Sequence, residues 1–449
     1  MLSEDILIQR LGTIVGPEHV VAGPGASAYA VDGRIPRAVT FPGSVEELSA
    51  VIAFASAERL GVAPWGSGTK IALGGVPERL DIVVGLSRLN ELVDYVPEDM
   101  TATFQVGMLL KDAQAILGQR GQWIALDPPY TDRATVGGVL ATNSSGPRRL
   151  RYGAARDFLI ATRVVHADGK ITKGGAKVVK NVTGYDIPKM HVGALGTLGI
   201  LAEATFRLYP IAPAEKTYLV AFSAVESEQR VIAQLLDSSL VPNAVELLDR
   251  EAARQIAGQI GLPWQAGHYG LAVAIGSVPE AVDAQIAALR TLCGNGGGLH
   301  GHVLDGDTHH GFWRAVRNFT FGDGQRAVLK ASVLLAKVSE AVRKGEEVAT
   351  RAGLRLGIVA EAGSGILRYS LCGDRPEGFP QGVAEAVNTL RAFTREAGGS
   401  LVVLEAPPEV KARVDVWGPA GSAFSLMQRL KEQFDPQRIL NPGRFVGGL

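Results

Sequence analysis

A glycine-rich loop near residue 65 restricts this chain more than any other stretch. Pro64-Trp65-Gly66-Ser67-Gly68-Thr69-Lys70 follows an apolar helix and the short strand-like piece Gly61-Val62-Ala63, and Gly74-Gly75 comes soon after. Consecutive small residues let the backbone turn sharply and direct successive N–H groups to one side, which makes a concavity for an anion such as phosphate. An ordinary surface turn is the alternative. The spacing matches neither the Rossmann nor the Walker pattern, so both of those sites are excluded at this loop.

The composition is that of a globular protein that is not organised by bulk charge. The chain has 449 residues, and 45 Lys and Arg balance 45 Asp and Glu. This balance argues against a nucleic-acid or membrane-surface partner recognised by charge. Two cysteines, Cys293 and Cys372, cannot supply the ligands of an iron–sulfur cluster or a zinc ribbon. Because neither a signal peptide nor a long apolar run is visible, we expect a cytoplasmic location without a transmembrane segment.

Further glycine-rich stretches predict backbone that runs against a ligand. One extends from Asp127 to Gly146 around an apolar Val139-Leu140 centre and continues into a basic piece at 148–153. Two interpretations of the arginines at 148–151 stay open: they contact a cofactor phosphate, or they lie at the surface. Ala167-Asp168-Gly169 is typical of a hairpin turn, and Gly193 to Ile200 is a second glycine-spaced loop that runs into a strand.

The pattern of strands and helices changes near Pro210 and Pro213. We predict a first domain over 1–212 with its core at about 36–210, and a second over 213–420. In the second domain, alternating strands and helices predict an α+β fold with helices on one face of a mostly antiparallel sheet. A last segment, 421–449, carries a helix at about 422–434 and ends in Asn441-Pro442-Gly443-Arg444.

These stretches, taken together, resemble a known family. The glycine loop, Ala134 to Gly138, Asn143 to Gly146 and Gly193 to Ile200 come in the order and spacing of the vanillyl-alcohol-oxidase/PCMH-type FAD-binding domain. The ending from Phe434 to Arg444 resembles the branch of D-lactate, glycolate and 2-hydroxyglutarate dehydrogenases. Within that branch, Lys180 to Asp186 is similar to the E-type FAD-binding subunits of bacterial glycolate oxidase complexes.

The resemblance implies a fold and a set of FAD contacts. It implies an α+β fold: a PCMH-type FAD-binding domain of two subdomains, an antiparallel-sheet cap domain with helices, and a C-terminal segment that returns to the FAD domain. Some relatives attach the flavin through a histidine in the first loop, and since 64–70 contain none, FAD is expected to be non-covalent. The implied FAD-binding residues are Pro64, Trp65, Gly66, Ser67, Gly68, Thr69, Lys70, Pro128, Thr135, Gly137, Gly138, Asn143, Ser144, Ser145, Gly146, Arg151, Tyr152, Gly153, Gly196, Gly199, Ile200 and Asn441.

The chain departs from the family where metal-using members carry histidines. Their His-x-Gly-Asp-Gly-Asn-x-His stretch corresponds here to Glu361 through Arg368, and their Glu-His-Gly-Ile-Gly segment corresponds to Glu405 through Glu409. Arginine cannot ligate a metal, so we predict no metal site of the family type. The histidines at 300, 302, 309 and 310 could form a separate zinc site or simply belong to a solvated loop over 294–311.

Two basic residues are the candidates for contacting substrate. Phe312 to Asn318 resembles a family segment that presents an arginine to the substrate carboxylate, and here that residue is Arg317, with Lys330 as a second candidate. An Arg–carboxylate pair orients an α-hydroxy acid by two parallel hydrogen bonds. The alternative for Arg317 is a position on a helix surface.

The resemblance leaves several functions open. One is an FAD-dependent subunit of a glycolate or other 2-hydroxy-acid oxidase complex, with a paralogous FAD subunit and an iron–sulfur subunit that receives the electrons, in the cytoplasm or held at the inner membrane through these partners. A second is an auxiliary FAD subunit paired with a metal-containing catalytic paralogue. A stand-alone D-2-hydroxyacid dehydrogenase and a phosphate-ligand binding protein without redox chemistry are the others.

Overall fold

The computed structural model describes residues 2–176, 185–322, 324–373 and 377–449. Internal contacts divide the chain into two compact units. The first consists of residues up to Ser145, Ala154–Ile211 and Pro419–Leu449, and the second consists of Gly146–Gly153 and Ala212–Gly418. Each unit is therefore built from segments that are far apart in sequence. Lys180 to Gly184, which carry part of the family resemblance, lie outside the described residues.

Most helices begin where the sequence changes from turn residues to an apolar-periodic run. Side-chain caps fix some of these starts: Ser44 Oγ accepts from the N–H of Glu47, and Asp249 accepts from the N–H of Ala252. In chain order the helices are α1 (Glu4–Val15), α2 (Val45–Ala57), α3 (Leu110–Gly118), α4 (Val136–Ala141), α5 (Arg149–Tyr152), α6 (Ala155–Phe158), α7 (Val225–Leu236), α8 (Arg250–Gln259), α9 (Pro279–Asn295), α10 (Gly306–Arg317), α11 (Val338–Arg351), α12 (Phe379–Glu396), α13 (Pro408–Lys411) and α14 (Phe424–Phe434).

The strands are mostly short and apolar. In chain order they are β1 (Val20–Ala22), β2 (Ala38–Thr40), β3 (Val62–Trp65), β4 (Ile82–Gly85), β5 (Leu92–Val96), β6 (Thr101–Gln105), β7 (Gln122–Trp123), β8 (Leu159–Val165), β9 (Ile171–Gly175), β10 (Ile200–Arg207), β11 (Tyr209–Pro210), β12 (Ala214–Phe222), β13 (Ala244–Leu248), β14 (Tyr269–Ser277), β15 (Gly301–Leu304), β16 (Gln325–Ser332), β17 (Arg355–Glu361), β18 (Ile366–Gly373) and β19 (Ser400–Glu405).

The first unit contains two main sheets and a small two-strand pairing of β7 with β11. One sheet has the order β1-β2-β4-β3, with β2 and β3 parallel to the central β4. The other has the order β5-β6-β10-β8-β9 and is antiparallel. The parallel strand β3 leads directly into the glycine loop. The carboxyl end of a parallel strand is where α/β and related folds commonly bind ligands.

The second unit is built on one antiparallel sheet of order β15-β12-β14-β13-β17-β18-β16-β19. Helices α7, α9, α11 and α12 cover one face, where Phe222, Leu329 and Tyr369 belong to a large apolar core. Helices α8 and α10 cover part of the other face, where Phe312 and Val359 form a smaller core. The antiparallel sheet is as predicted, but helices on both faces correct the expectation of helices on one face only.

Two glycine-rich stretches hold regular structure. In the first, Val136–Ala141 is helical because Thr135 Oγ1 accepts from the N–H of Gly138 and caps it. The stretch 294–311, for which a zinc site or a solvated loop was left open, holds the end of α9, the strand β15 and the start of α10, so the loop prediction is wrong. Helix α10 forms because Phe312, Trp313 and Val316 bury one of its faces. The hairpin at Asp168-Gly169 is confirmed, since β8 and β9 pair around it.

Candidate functional site

A pocket lies in the first unit, around the glycine loop. Residues from six parts of the chain meet there. The lining residues are Pro64, Trp65, Gly66, Ser67, Gly68, Thr69, Lys70, Ile71, Leu73, Leu86, Val106, Thr135, Gly137, Gly138, Ala141, Thr142, His191, Leu195, Gly196, Gly199, Ile200, Leu201, Asn441 and Arg444.

The glycines of the loop are required by close backbone approach. A Cβ on Gly66 would lie 2.2 Å from Thr135 Oγ1, and a Cβ on Gly68 would lie 2.6 Å from the ring of Trp65. Gly68 also has a φ of +74°, a conformation that side chains disfavour. In the second glycine-spaced loop, a Cβ on Gly196 would lie 2.8 Å from the side chain of Pro64. These positions bring the two glycine-rich loops of the sequence together.

The loop offers hydrogen-bond donors to the pocket. Among the described residues, no carbonyl or side chain accepts the N–H groups of Ser67, Gly68 and Thr69. Lys70 adds a half-buried ammonium that donates to Pro129 O at 3.1 Å, and burial lowers its pKa to about 8. Backbone amides beside a lysine are the donor set that a pyrophosphate requires.

The C-terminal segment completes the pocket from the far end of the chain. Val62 donates to Ile439 O at 2.7 Å and Asn441 donates to Val62 O at 2.8 Å, so the segment runs alongside β3. Asn441 Nδ2 donates to Leu195 O at 2.6 Å. The guanidinium of Arg444 is buried and donates to two carbonyls of the first loop. Burial lowers its pKa to about 10, against the opposing charge of Asp32.

A buried ion pair fixes this segment in place. Lys431 Nζ donates to Asp435 Oδ2 at 2.7 Å, to Thr197 O at 2.9 Å and to Leu440 O at 2.9 Å. Asp435 in turn accepts from the N–H groups of Ile439 and Leu440. Lys431 and Asp435 are both buried and hydrogen-bonded. The pair therefore holds α14, the second glycine loop and the C-terminal segment together.

The pocket also holds polar atoms that the described residues leave without a partner. Asn441 Oδ1 and His191 Nδ1 are buried and have none. A buried polar atom without a partner costs about 1–3 kcal/mol, so such atoms commonly meet a ligand. Free loop amides, a lysine, apolar walls and two unpartnered polar atoms together fit a dinucleotide with a flat ring system, such as FAD.

Comparison with known proteins agrees with this geometry. A family model described as an FAD binding domain matches residues 36–175, and one described as the C-terminal domain of FAD linked oxidases matches 211–402 and 417–445. The chain belongs to the FAD-linked oxidases. Its predicted family and its FAD cofactor are therefore confirmed. FAD would supply a two-electron acceptor when bound, and the loop residues, Lys70, Asn441 and Arg444 line the pocket that would hold it.

Relatives of this FAD-linked oxidase match nearly the whole chain. Glycolate oxidase subunit GlcD of Bacillus subtilis (strain 168) is 27% identical, over 99% of this chain and 97% of its own. D-lactate dehydrogenase of Archaeoglobus fulgidus is 29% identical, over 94% and 96%. The solved structure of p-cresol methylhydroxylase with substrate bound superimposes with a TM-score of 0.76 at 17% identity, over 97% and 95%. The PCMH-type α+β fold is confirmed, while likeness to the E-type subunit stays a prediction.

The pocket gathers many of the predicted FAD residues but not all. Pro64 to Lys70, Thr135, Gly137, Gly138, Gly196, Gly199, Ile200 and Asn441 line it. Pro128, Asn143, Ser144 and Ser145 belong to the same unit but are not among the lining residues, and Gly146, Arg151, Tyr152 and Gly153 belong to the second unit. Roles for these residues in cofactor binding stay predictions.

Ten of the lining residues were not among those predicted from the sequence, and His191 and Arg444 are the two of them with ionisable side chains. Arg444 was noticed only as part of the C-terminal ending. A polar residue flanked by apolar ones, as in Met190-His191-Val192, and an arginine directly after Pro442-Gly443 are weak signals by themselves. The position of each side chain depends on contacts with residues hundreds of positions away, such as that of Arg444 with Ile71 and that of His191 with Phe434. A local sequence pattern does not contain this information.

The substrate candidates lie in the second unit. Lys330 is on β16 and Arg317 ends α10. Glu361 and Arg368, which are predicted to replace the family histidines, lie on β17 and β18. Arg368 donates to Arg317 O and Val316 O at 2.8 Å each. Among the described residues, no group of three His, Cys, Asp or Glu side chains is arranged to hold a metal ion.

The predicted histidine-rich loop is replaced by a buried network. His309 is almost fully buried on α10, with Nδ1 2.9 Å from Thr217 Oγ1 and Nε2 3.5 Å from Glu215 Oε2. Glu215 also accepts two hydrogen bonds from Arg148, at 2.8 and 2.7 Å. Although burial acts in the opposite direction, hydrogen bonds from His309 and Arg148 hold the pKa of Glu215 at about 2. The geometry is that of a structural network and not of a zinc site.

Proposed function

We propose that this FAD-linked oxidase oxidises a small 2-hydroxy acid, such as glycolate or D-lactate, by transfer of a hydride to non-covalently held FAD. The observation that carries the proposal is the pocket around the glycine loop, whose amides, Lys70 and C-terminal residues fit FAD. The substrate class comes from relatives that span nearly the whole chain and are named glycolate oxidase subunit and D-lactate dehydrogenase.

We further propose that the electrons pass to a separate iron–sulfur subunit in a complex that also holds a paralogous FAD subunit. The chain's two cysteines, Cys293 and Cys372, are both buried, and two thiols are too few for a cluster of their own. Buried thiols also fit a reducing compartment such as the cytoplasm. In the described parts of the chain, no helix combines the length and hydropathy needed to cross a membrane.

A second candidate is an auxiliary FAD subunit that relays electrons for a catalytic paralogue. The predicted correspondence of Glu361 and Arg368 with the histidines of metal-using family members supports it. A stand-alone D-2-hydroxyacid dehydrogenase is the remaining alternative. In the catalytic alternatives, Arg317 and Lys330 are the proposed contacts for the substrate carboxylate.

The first experiment is an absorption spectrum of the purified chain. Flavin bands near ~450 nm that acid releases into solution support non-covalent FAD, and colourless protein would contradict both redox functions. Glycolate and D-lactate are then added without oxygen. Bleaching of the flavin supports catalysis by this chain alone. No bleaching, with activity restored when the partner subunits are co-expressed, supports the auxiliary subunit.

A further inference from the structure

A cluster of charged side chains lies on one face of the second unit's sheet, apart from the ion pairs already described. Glu246 opposes Glu361 across β13 and β17, and Lys330 opposes Arg368 across β16 and β18. Arg368 also opposes Val359, which lies two residues before Glu361. Since paired residues and residues two apart share a face, these four charged side chains point to the same side. The adjoining part of that face is the apolar core under α8 and α10.

Glu361 provides the clearest sign that the cluster takes a ligand. Its side chain is 6% exposed, and its Oε2 atom is buried without a hydrogen-bond partner among the described residues. Burial raises the pKa of Glu361, and the charges of Arg368, Lys330 and Arg149 oppose that shift. A buried carboxylate oxygen normally accepts a hydrogen bond, so this one lacks the donor that a bound hydroxyl would supply.

Lys330 is the cation that is available for a ligand. It is half-buried, and its ammonium makes no hydrogen bond or ion pair with another described residue. Arg368, by contrast, already donates to two carbonyl oxygens at the end of α10. Burial lowers the pKa of Lys330 while the charge of Glu361 raises it. A desolvated ammonium of this kind attracts a carboxylate more strongly than an exposed one does.

Arg149 lies on the segment Gly146–Gly153, which belongs to the second unit, and contributes a third positive charge near the cluster. Two contacts hold this segment on the sheet. Arg148, one residue before, forms the two-bond pair with Glu215. Leu150, one residue after, packs so closely that a Cβ on Gly363 would lie 2.8 Å from its Cδ2 atom. Arg149 lies between these anchors, and its charge acts on both Glu361 and Lys330.

We propose that Lys330, Arg149 and Glu361 form a binding site for a 2-hydroxy monocarboxylate. Lys330 and Arg149 hold the carboxylate, and Glu361 accepts a hydrogen bond from the 2-hydroxyl. Formally, Lys330, Arg149 and Arg368 carry one positive charge more than Glu246 and Glu361 carry negative, and a monoanion balances that excess.

In this site, Glu361 acts as the general base that removes the hydroxyl proton during the oxidation. This part of the proposal rests on the proposed function. The carbon-bound hydrogen leaves with its electron pair as the hydride of that function. The hydroxyl proton moves to Glu361 Oε2, the C–O bond becomes a double bond, and the product is the 2-oxo acid. Positioned general bases of this kind contribute about 10²–10⁴-fold to rate. With a carboxylate at position 361, removal of the hydroxyl proton requires neither a histidine nor a metal ligand there.

The test separates binding from oxidation. Pyruvate, a 2-oxo acid that cannot be oxidised in this way, is titrated calorimetrically into the FAD-loaded protein, and flavin bleaching by D-lactate and glycolate is followed without oxygen. Lys330→Met and Arg149→Met should each weaken pyruvate binding about 10-fold or more. Glu361→Gln should keep binding within about threefold but slow bleaching at least about 100-fold. Lys330→Arg, which keeps the charge, should retain binding.

Matched controls come from a surface pair in the same unit. Lys337 and Glu340 lie 2.6 Å apart and are both exposed, so Lys337→Met and Glu340→Gln should behave as wild type. The site is overturned if wild type does not bind pyruvate, or if the cluster variants behave like these controls while wild type bleaches. If wild type binds pyruvate through Lys330 and Arg149 but no 2-hydroxy acid bleaches the flavin, the binding site stands and the proposed oxidation fails.

Discussion

At the scale of single residues, Gly66 shows how closely the cofactor loop is fitted to its neighbours. A side chain at this position would lie 2.2 Å from Thr135 Oγ1, the atom that caps α4. Gly66→Ala should therefore displace the loop or the cap and weaken FAD binding at least about 10-fold, because its donors would no longer converge. Flavin released on dilution measures the loss by fluorescence. Gly118→Ala, where a Cβ meets nothing within 4 Å, should bind FAD like wild type, and equal retention by both variants would contradict the prediction.

His191 makes a prediction about pH. Burial, with a smaller effect of His166, lowers its pKa to about 4, while the unfolded chain has an ordinary value of about 6.5. Between these values only the unfolded state binds the proton, so stability falls as pH decreases from 6.5 to 4, by about 3 kcal/mol. His191→Leu should remove this part of the pH dependence. The measurement is urea unfolding of both proteins between pH 4 and 7.

The comparison isolates His191 because other buried groups titrate in both proteins. Glu215, for example, has a folded-state pKa of about 2, so its contribution to stability is lost only as the pH falls from about 4.5 to about 2. His300→Leu, at an exposed position, is the control and should follow wild type throughout. Parallel curves for wild type and His191→Leu would show that folding does not lower the pKa of the histidine.

At the scale of elements, α7 carries a buried carboxyl group that makes no hydrogen bond within the described chain. Glu228 is fully buried, neither of its oxygens has a partner, and burial raises its pKa well above the ordinary value. Replacing it with leucine removes an unsatisfied polar group at similar volume. Glu228→Leu should therefore raise the free energy of unfolding by about 1–3 kcal/mol.

The denaturation midpoint in urea measures this gain. Glu226→Leu on the same helix is the control, because Glu226 is exposed and pairs with Arg343 at the surface. It should change stability by less than about 0.5 kcal/mol. A lower midpoint for Glu228→Leu would mean that the carboxyl group has a stabilising role.

Elements also show where sequence reasoning succeeds and where it stops. The hairpin around Asp168-Gly169 and strands such as Ala244–Leu248 follow from local turn chemistry and apolar runs. Helix α10 does not, because Gly306-Asp307-Thr308-His309-His310 is a poor helical sequence that forms only against the sheet. The sharp turn of the glycine loop beside a pocket was predictable, since consecutive small residues allow this backbone geometry. Buried His191 and the charged cluster around Glu361 were not, since both depend on pairing between distant strands and loops.

At the scale of the whole molecule, the first unit depends on its last segment. Deletion of 419–449 removes Lys431, Asn441 and Arg444, which pin and line the FAD pocket. We expect the truncated chain to retain less than about a tenth of the FAD, because pocket donors and an entire wall are lost. The second unit contains none of these residues, so hydrogen exchange of β17 and β18 should stay as in wild type. Full FAD occupancy in the truncated chain would contradict the prediction.

The pairing of β3 with the C-terminal segment also fixes the order of events during synthesis. Arg444 donates to Ile71, a residue 373 positions earlier, and Asn441 donates to Val62. Domains generally fold as units while the ribosome is still adding residues, but this pocket cannot close until residues 439–444 have left the exit tunnel. The second unit, whose chain is complete by Gly418, emerges before the first unit can be finished. FAD is therefore loaded only after residues 439–444 have been added and have left the tunnel, and a nascent chain stalled before that point has no complete cofactor site.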